Sequence, residues 1–370
     1  MKPVLLVTGH VPAYRAGALA QLHAREGLEL ALFGGRSRHG GPDPVEQLRL
    51  PTKRVRPHEL YGLASSGAYR AVVCPTGGRL APLASWAGAR RAGVPLILWA
   101  SLWAHPRSPA HAFTYLPLRR LYSSADAVVT YGDHVSAYVR ARGARNVHVA
   151  PQSVDNEFWS ERDLAPAQAS VPGWPQGEML RFLFVGRAAR EKGLHVLLRA
   201  WERSSLGAPD AALLLVGERL RPATGPSAGV HALGAAGAYE LRSIYSSVDV
   251  LVVPSIVTRT FREPWGLVIN EAMNRGLPVI ATNAVGAAAG GLVRDGESGI
   301  VVAAGDADAL AAALERLAGS PELRASMGRT GTQAVGAYSH AAWAGGFSAA
   351  LDSLGLAARS VGAGSLGGAR

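Results

Sequence analysis

The sequence predicts an α/β protein of two doubly wound, Rossmann-like domains that face each other across a cleft. Three observations predict it. At 370 residues the chain exceeds one ordinary hydrophobic core, so two domains are expected. Short apolar runs alternate with helical patterns, as in a parallel sheet covered by helices on both faces. A Pro- and Gly-containing stretch near the middle interrupts the alternation, which then restarts.

In the first half, strands are expected at 3–8, 29–33, 71–74, 96–100, 127–130 and 147–150. Helices are expected between them, for example at 16–26, 80–91 and 116–124. Residues 1–160 form the expected N-terminal domain. Pro166, Pro172, Gly173 and Pro175 mark a linker at 161–180. The second domain is expected over 181–341, with strands at 181–185, 212–216, 230–233, 248–253, 278–281 and 300–302. Its helices are expected at 194–204, 239–246, 267–274, 307–317 and 321–336. A further amphipathic helix is expected at 342–356, and the Gly/Ser/Ala/Arg tail at 358–370 reads as disordered. In such sheets ligands bind beyond the carboxyl ends of the strands, so function belongs to the loops after strands.

Composition narrows the class. Apolar residues make up 48% of the chain and charged residues 18%, as in a globular protein. The one cysteine, Cys74, excludes a disulfide framework and a cysteine zinc cluster. It follows Ala71, Val72 and Val73, which reads as a buried thiol in a reducing cytoplasm. The apolar run at 4–7 has strand length, too short for the core of a secretory signal. No apolar run approaches the ~18 residues of a membrane span. The net charge of +11 is lopsided: residues 1–160 hold 19 Lys and Arg against 9 Asp and Glu. That surplus suits an anionic partner, either a phosphorylated acceptor or an anionic membrane surface, or reflects high Arg usage. No nucleic-acid module signature accompanies it, so nucleic acid is not an expected partner.

Chemistry concentrates in the second half. The strand at 181–185 runs into Gly186-Arg187-Ala188-Ala189-Arg190-Glu191-Lys192-Gly193 and then a helix. Gly186 permits a tight turn, and Arg187 and Lys192 set two cations beside a helix N-terminus. This is an anion site suited to a diphosphate, and it matches neither the Walker A nor the dinucleotide glycine pattern. Two later strands end at Gly217 and Gly234. After Pro254-Ser255 come Glu263 and Glu271, with seven residues between them. Pro264 and Gly266 disfavour helix at the start of that segment, so Glu263 belongs to the entering loop and Glu271 to the first turn. Alone, the pair reads equally as a helix cap or as functional carboxylates. Asp306-Ala-Asp308 fits a metal-binding string, but Asp306 opens a helix and reads as its N-cap.

The order Val-Gly-Arg-x-x-x-Glu-Lys-Gly, Pro-Ser, Glu-x7-Glu, Gly-x-Pro-Val-Ile-Ala and Asp-Gly-x-x-Gly, over residues 181–302, resembles the family 4 retaining glycosyltransferases of the GT-B fold. The N-terminal half matches in architecture, with Pro151-Gln152-Ser153-Val154-Asp155 near a family motif. The resemblance implies that the helix at 342–356 returns to the N-terminal domain. It implies a hexose-type sugar moved from a nucleotide-diphospho donor, UDP or GDP type, to a hydroxyl acceptor. That acceptor would be a glycan, glycolipid or lipid-linked precursor, as in cell-surface polysaccharide biosynthesis, or a small-molecule natural product. No metal and no resident cofactor are implied. Arg187 and Lys192 would bind the diphosphate, Glu263 the sugar hydroxyls and Glu271 the ribose. Backbone N–H groups around Trp265, Gly266 and Leu267 would hold sugar and distal phosphate. Gly186, Gly217 and Gly234 would line the donor site.

The N-terminal half should hold the acceptor and the remaining catalytic contacts. His105, on the loop after the strand at 96–100, joins Glu263, Arg187 and Lys192 as a catalytic candidate, with His111 its competitor. Tyr14 and Arg15 stand where relatives carry a Gly-Gly loop; with Arg107 they are the acceptor-side candidates. Thr76-Gly77-Gly78-Arg79 follows the third strand and is a cleft or turn element. Aromatic and basic residues interleave from Phe113 to Tyr122, reading as core packing or as peripheral contact with a membrane. A nucleotide-sugar epimerase and an inactive sugar-nucleotide-binding protein remain competing readings on the same fold.

Overall fold

The computed structural model describes residues 1–34, 48–78, 80–162, 167, 171–220 and 229–356. The sheet of the first half contains β1 (Val4–Thr8), β2 (Leu28–Leu32), β3 (Thr52–Arg54), β4 (Ala71–Pro75), β5 (Leu96–Ala100), β6 (Ala127–Thr130) and β7 (Val147–Val149). Its helices are α1 (Ala16–Glu26), α2 (Leu60–Ala64), α3 (Ala81–Ala92), α4 (Pro109–Ser124), α5 (Asp133–Arg140) and α6 (Asn156–Ser160). The strands pair in parallel in the order β3-β2-β1-β4-β5-β6-β7. Order reverses between β1 and β4, the switch point where doubly wound sheets open a binding crevice.

The second sheet contains β8 (Leu180–Val185), β9 (Ala211–Val216), β10 (Val230–Gly234), β11 (Val250–Val253), β12 (Val279–Thr282) and β13 (Gly299–Val302). Its order is β10-β9-β8-β11-β12-β13, again parallel, with the reversal between β8 and β11. Helices α7 (Leu194–Arg203), α8 (Ala238–Ser246), α9 (Val268–Asn274), α10 (Gly286–Ala289), α11 (Ala307–Ala318) and α12 (Pro321–Val335) accompany it. Central strands such as Val4-Leu5-Leu6-Val7 are wholly buried, which explains their uninterrupted apolar sequence. The last helix, α13 (His340–Asp352), packs back on α1 and β7. Trp343 and Phe347 carry it into the first core, tilted against each other and edge-on to Trp99.

Three sequence expectations are corrected, and one strand is added to those expected. β3 is an edge strand, Thr52-Lys53-Arg54, with no apolar signal to announce it. α4 begins at Pro109, seven residues before the expected start, because Ser108 caps it by accepting the His111 N–H. It runs through Pro117. Part of the expected linker is core: Val171 and Trp174 are buried with Leu183 and Ile269, as are Val154 and Trp159 before them. The aromatic–basic run is split. Tyr122 is fully buried, whereas Phe113 and Leu116 are exposed. Cys74 is buried, which pushes its thiol up to about 12. Asp306 caps α11 by accepting from the N–H groups of Asp308 and Ala309. Arg79 and the 358–370 tail lie outside the described residues. No described helix is long and apolar enough to cross a membrane.

Candidate active site

The basic loop after β8 is held against its neighbours by backbone contacts. The Gly186 N–H donates to the Val216 carbonyl at 3.0 Å. Arg190–Lys192 form one 3-10 turn, and Gly193 follows at φ +72°, where a glycine is favoured. A Cβ on Gly193 would sit 1.9 Å from the Pro254 carbonyl oxygen. The Ile256 N–H donates to the Glu191 carbonyl at 2.9 Å, fastening this loop to the segment after β11. Gly217 and Gly234 meet at the same sheet edge, joined N–H to O at 2.7 Å.

That fastening brings two sequence candidates into contact. Lys192 Nζ donates to Glu263 Oε2 at 2.5 Å, and Ser255 Oγ stands 3.4 Å from the same oxygen. The Glu263 side chain is 9% exposed, so the pair is largely desolvated and each charge depends on the other. Arg187 lies on the same loop, more open, 3.6 Å from Glu191. Glu263 is also fixed through its backbone. Its carbonyl accepts the Gly286 N–H at 3.1 Å and the Trp103 indole N–H at 3.0 Å. Trp103 belongs to the other domain, so this contact closes the cleft. His134 reinforces it by donating to the Pro264 carbonyl at 3.3 Å, with its ring beside both Trp103 and Trp265. Burial holds the His134 imidazole below its ordinary range.

Gly266, at φ +94°, turns the chain into α9. Among the described residues, the N–H groups of Trp265, Gly266 and Leu267 donate to no protein acceptor. Free N–H groups beside a lysine form an anion-binding edge. Glu271 lies in the first turn of α9, where the Tyr245 hydroxyl donates to its Oε2 at 2.8 Å. Burial pushes the Glu271 carboxyl up to about 7, against the opposing hydrogen bond. Its folded pKa exceeds the ordinary 4.5, so the stability it contributes is full below about 4.5 and is lost as pH rises through about 7.

A buried polar chain sets the position of Trp265. Its indole donates to Asn270 Oδ1 at 2.7 Å, and Asn270 Nδ2 donates to the Gln152 carbonyl at 3.1 Å. Asn270 is wholly buried. Asn270→Ala would orphan two buried groups, each worth about 1–3 kcal/mol, and lower the melting midpoint by roughly 5–10 °C. A shift within about 1 °C in a thermal melt would show that water replaces the side chain. No spacing in the sequence marked Trp103, His134 or Asn270. The signal is three-dimensional, since each reaches a backbone atom far along the chain.

The N-terminal candidates are placed differently. His105 Nε2 donates to the His111 carbonyl at 2.8 Å, and the Tyr138 hydroxyl is 3.5 Å from its Nδ1. His111 Nδ1 pairs with Ser108 Oγ at 2.7 Å. Neither histidine has a described hydrogen bond to Glu263, Lys192 or Arg187. Arg15, expected on the acceptor side, is buried in the core, stacked on Trp99 and Trp343 and donating to Gln152. Aromatic faces accommodate a guanidinium better than they do an ammonium, and draw it inward. The Tyr14 carbonyl accepts from His340 at 3.3 Å. Arg107 lines an open cavity with His105. Gly78 turns at φ +91° beside Phe33.

Residues 173–334 match the family described as glycosyl transferases group 1. That region is of the glycosyl transferases group 1 type, and the chain resembles the family 4 glycosyltransferases of the GT-B fold. It is 29% identical to a D-inositol 3-phosphate glycosyltransferase of Segniliparus rotundus over 288 residues, 70% of this chain and 61% of that one. Identity to the protein of the same name from Nocardiopsis dassonvillei is 32% over 304 residues, 72% of this chain and 65% of that one. The matches span 61%, 39% and 39% of the first three curated relatives. Among solved structures, Anabaena HepE in complex with UDP superposes with TM-score 0.75 at 19% identity, over 95% of this chain and 100% of that one. At that identity the likeness establishes the fold, the two-sheet arrangement described above.

Proposed function

We propose that this chain is a retaining glycosyltransferase that moves a hexose-type sugar from a nucleotide-diphospho donor to a hydroxyl acceptor. One observation carries the reading: the Lys192–Glu263 pair lies beside the free N–H groups at 265–267, with the opposite domain closing on Glu263. An ionised carboxylate only accepts, so Glu263 suits vicinal sugar hydroxyls. Lys192, Arg187 and the N–H groups suit the charge that grows on a departing diphosphate. In this proposal those cations fill the role a metal plays elsewhere. Glu271 takes the ribose hydroxyls. The acceptor oxygen bonds to the anomeric carbon as its bond to the phosphate oxygen breaks, and the acceptor proton passes to that phosphate oxygen on the same face. UDP and GDP donors are favoured, UDP because HepE was solved with UDP. The names of the curated relatives favour a polyol phosphate acceptor over the other candidates. The proposed setting is the cytoplasm, supported by the single thiol.

Thermal shift with UDP-, GDP-, TDP- and ADP-sugars is expected to give stabilisation by one nucleotide class. Ribose hydroxyls favour the ionised Glu271, so donor binding should lower its pKa from about 7 and release protons near neutrality. Donor affinity should therefore weaken as pH falls through about 7. Calorimetry in buffers of different ionisation enthalpy measures that release, and Glu271→Gln should abolish it. No stabilisation by any of the four classes would sink the reading, and donor turnover without an acceptor would convert it to an epimerase.

A further inference from the structure

We propose that the acceptor carries a phosphate ester and that this group seats in a basic cavity shared by the two domains. The inference rests on the glycosyltransferase reading and gives the phosphate of its acceptor a binding site. The cavity has a volume of about 970 Å³. One wall is the segment from Leu102 into α4, and the other is the loop at 257–262. The two walls are joined where the Arg107 N–H donates to the Arg259 carbonyl at 2.5 Å.

Four arginines line it: Arg107 and Arg142 from the first domain, Arg259 and Arg262 from the second. No Asp or Glu is among its lining residues. Among the described residues none of the four forms an ion pair, although the chain pairs other arginines freely, as in Arg70–Glu26 and Arg242–Glu161. Two of the four are held in position. Arg142 lies 3.5 Å above the Tyr138 ring and donates to the Tyr138 carbonyl at 2.9 Å. Arg262 lies 3.6 Å above the Trp103 ring and donates to the Asn283 carbonyl at 3.2 Å. The Nε of each is buried without a partner. Stacked guanidinium groups with N–H bonds to spare are preorganised for the bidentate geometry of a phosphate. Four like charges around one cavity repel each other, and a bound dianion reverses that cost.

Position fits the acceptor. Pro264 lines the cavity, and Trp103 bridges from it to the Glu263 carbonyl. A phosphate held here leaves the hydroxyl end of the same molecule facing the sugar that Glu263 holds. Both domains contribute arginines, so acceptor binding also favours the closed cleft. A soluble polyol phosphate and a phospholipid headgroup share this chemistry.

The test uses the full chain and does not require turnover. Glucose 6-phosphate and glucose are titrated in parallel, and vesicles of phosphatidylinositol are sedimented beside vesicles of phosphatidylcholine. Saturable binding of the phosphate ester but not of glucose is expected if the ligand is soluble. Binding to the phosphatidylinositol vesicles alone is expected if it is a headgroup. In either case the exposed pair R107Q/R259Q should weaken binding at least about tenfold, since each charge-assisted contact is worth about one to two powers of ten. UDP binding to the same variant should stay within about twofold. Equal binding of glucose and glucose 6-phosphate with no preference between vesicles, or binding unchanged in R107Q/R259Q and in R142Q, overturns the proposal. Phosphate binding without UDP binding would instead overturn the donor reading and leave this site standing.

Discussion

Glu263→Gln is expected to lower kcat/KM for glycosyl transfer by about three orders of magnitude, while UDP affinity changes less than about threefold. The substitution preserves volume and one oxygen but removes the charge. Two charged contacts then disappear: the bond to Lys192 and the bond to a sugar hydroxyl. Hydrogen bonds to charged groups contribute about 1.5–3 kcal/mol each, and about 4 kcal/mol is a thousandfold in rate. The fold should survive, because Glu263 is held through its carbonyl by Gly286 and Trp103. Lys192→Ala should cost about as much, and the double variant little more than either. Lys192 and Glu263 stand 2.5 Å apart and act as a unit, so their effects overlap rather than multiply. Steady-state kinetics of the two single variants and the double variant measure this. Turnover within tenfold of the unmodified enzyme in E263Q would remove Glu263 from the chemistry, and multiplicative losses would show that the pair acts separately.

The two loops that meet at the Lys192–Glu263 pair were legible in the sequence because their determinants are local. Gly186 through Gly193 needs one turn and one helix start. Glu263 through Glu271 needs one loop and one helix turn. Apolar runs fixed the central strands, since a strand buried on both faces has no polar alternation to confuse it. The opposite domain was less legible. Trp103 and His134 act by reaching the carbonyls of Glu263 and Pro264, and a backbone carbonyl has no residue signature. Arg15 and Arg107 look alike as letters. Only the fold separates a guanidinium stacked between Trp99 and Trp343 from one lining a cavity. Edge strand β3 was missed for a related reason: pairing through the backbone alone asks nothing of its side chains.

Those two kinds of determinant meet at Gly193, where Gly193→Ala is expected to cost both stability and donor binding. The residue sits at φ +72°, a conformation that costs an alanine roughly 1–2 kcal/mol. Its Cβ would also lie 1.9 Å from the Pro254 carbonyl oxygen, a backbone atom that cannot rotate away. Relief requires the turn at 190–193 to move off the segment after β11. That movement stretches the hydrogen bond from Ile256 to Glu191 and draws Lys192 back from Glu263. It also disturbs the start of α7, whose Val196 and Leu197 N–H groups donate to the Gly193 carbonyl. A total of about 3 kcal/mol or more is expected, lowering the melting midpoint by roughly 5–10 °C. UDP affinity should fall at least tenfold even at temperatures where the variant is folded, because Lys192 no longer holds its place. Gly186→Ala is the control on the same loop: its Cβ would meet the Phe184 ring at 3.0 Å, a side chain rather than backbone, and Lys192 Cγ at 3.8 Å, an ordinary contact. Parallel melts and UDP titrations should therefore rank Gly193→Ala well below Gly186→Ala on both measures. If Gly193→Ala kept its UDP affinity while melting early, the close approach to Pro254 would serve the fold alone, and Lys192 would be positioned by Glu263 rather than by the turn that carries it.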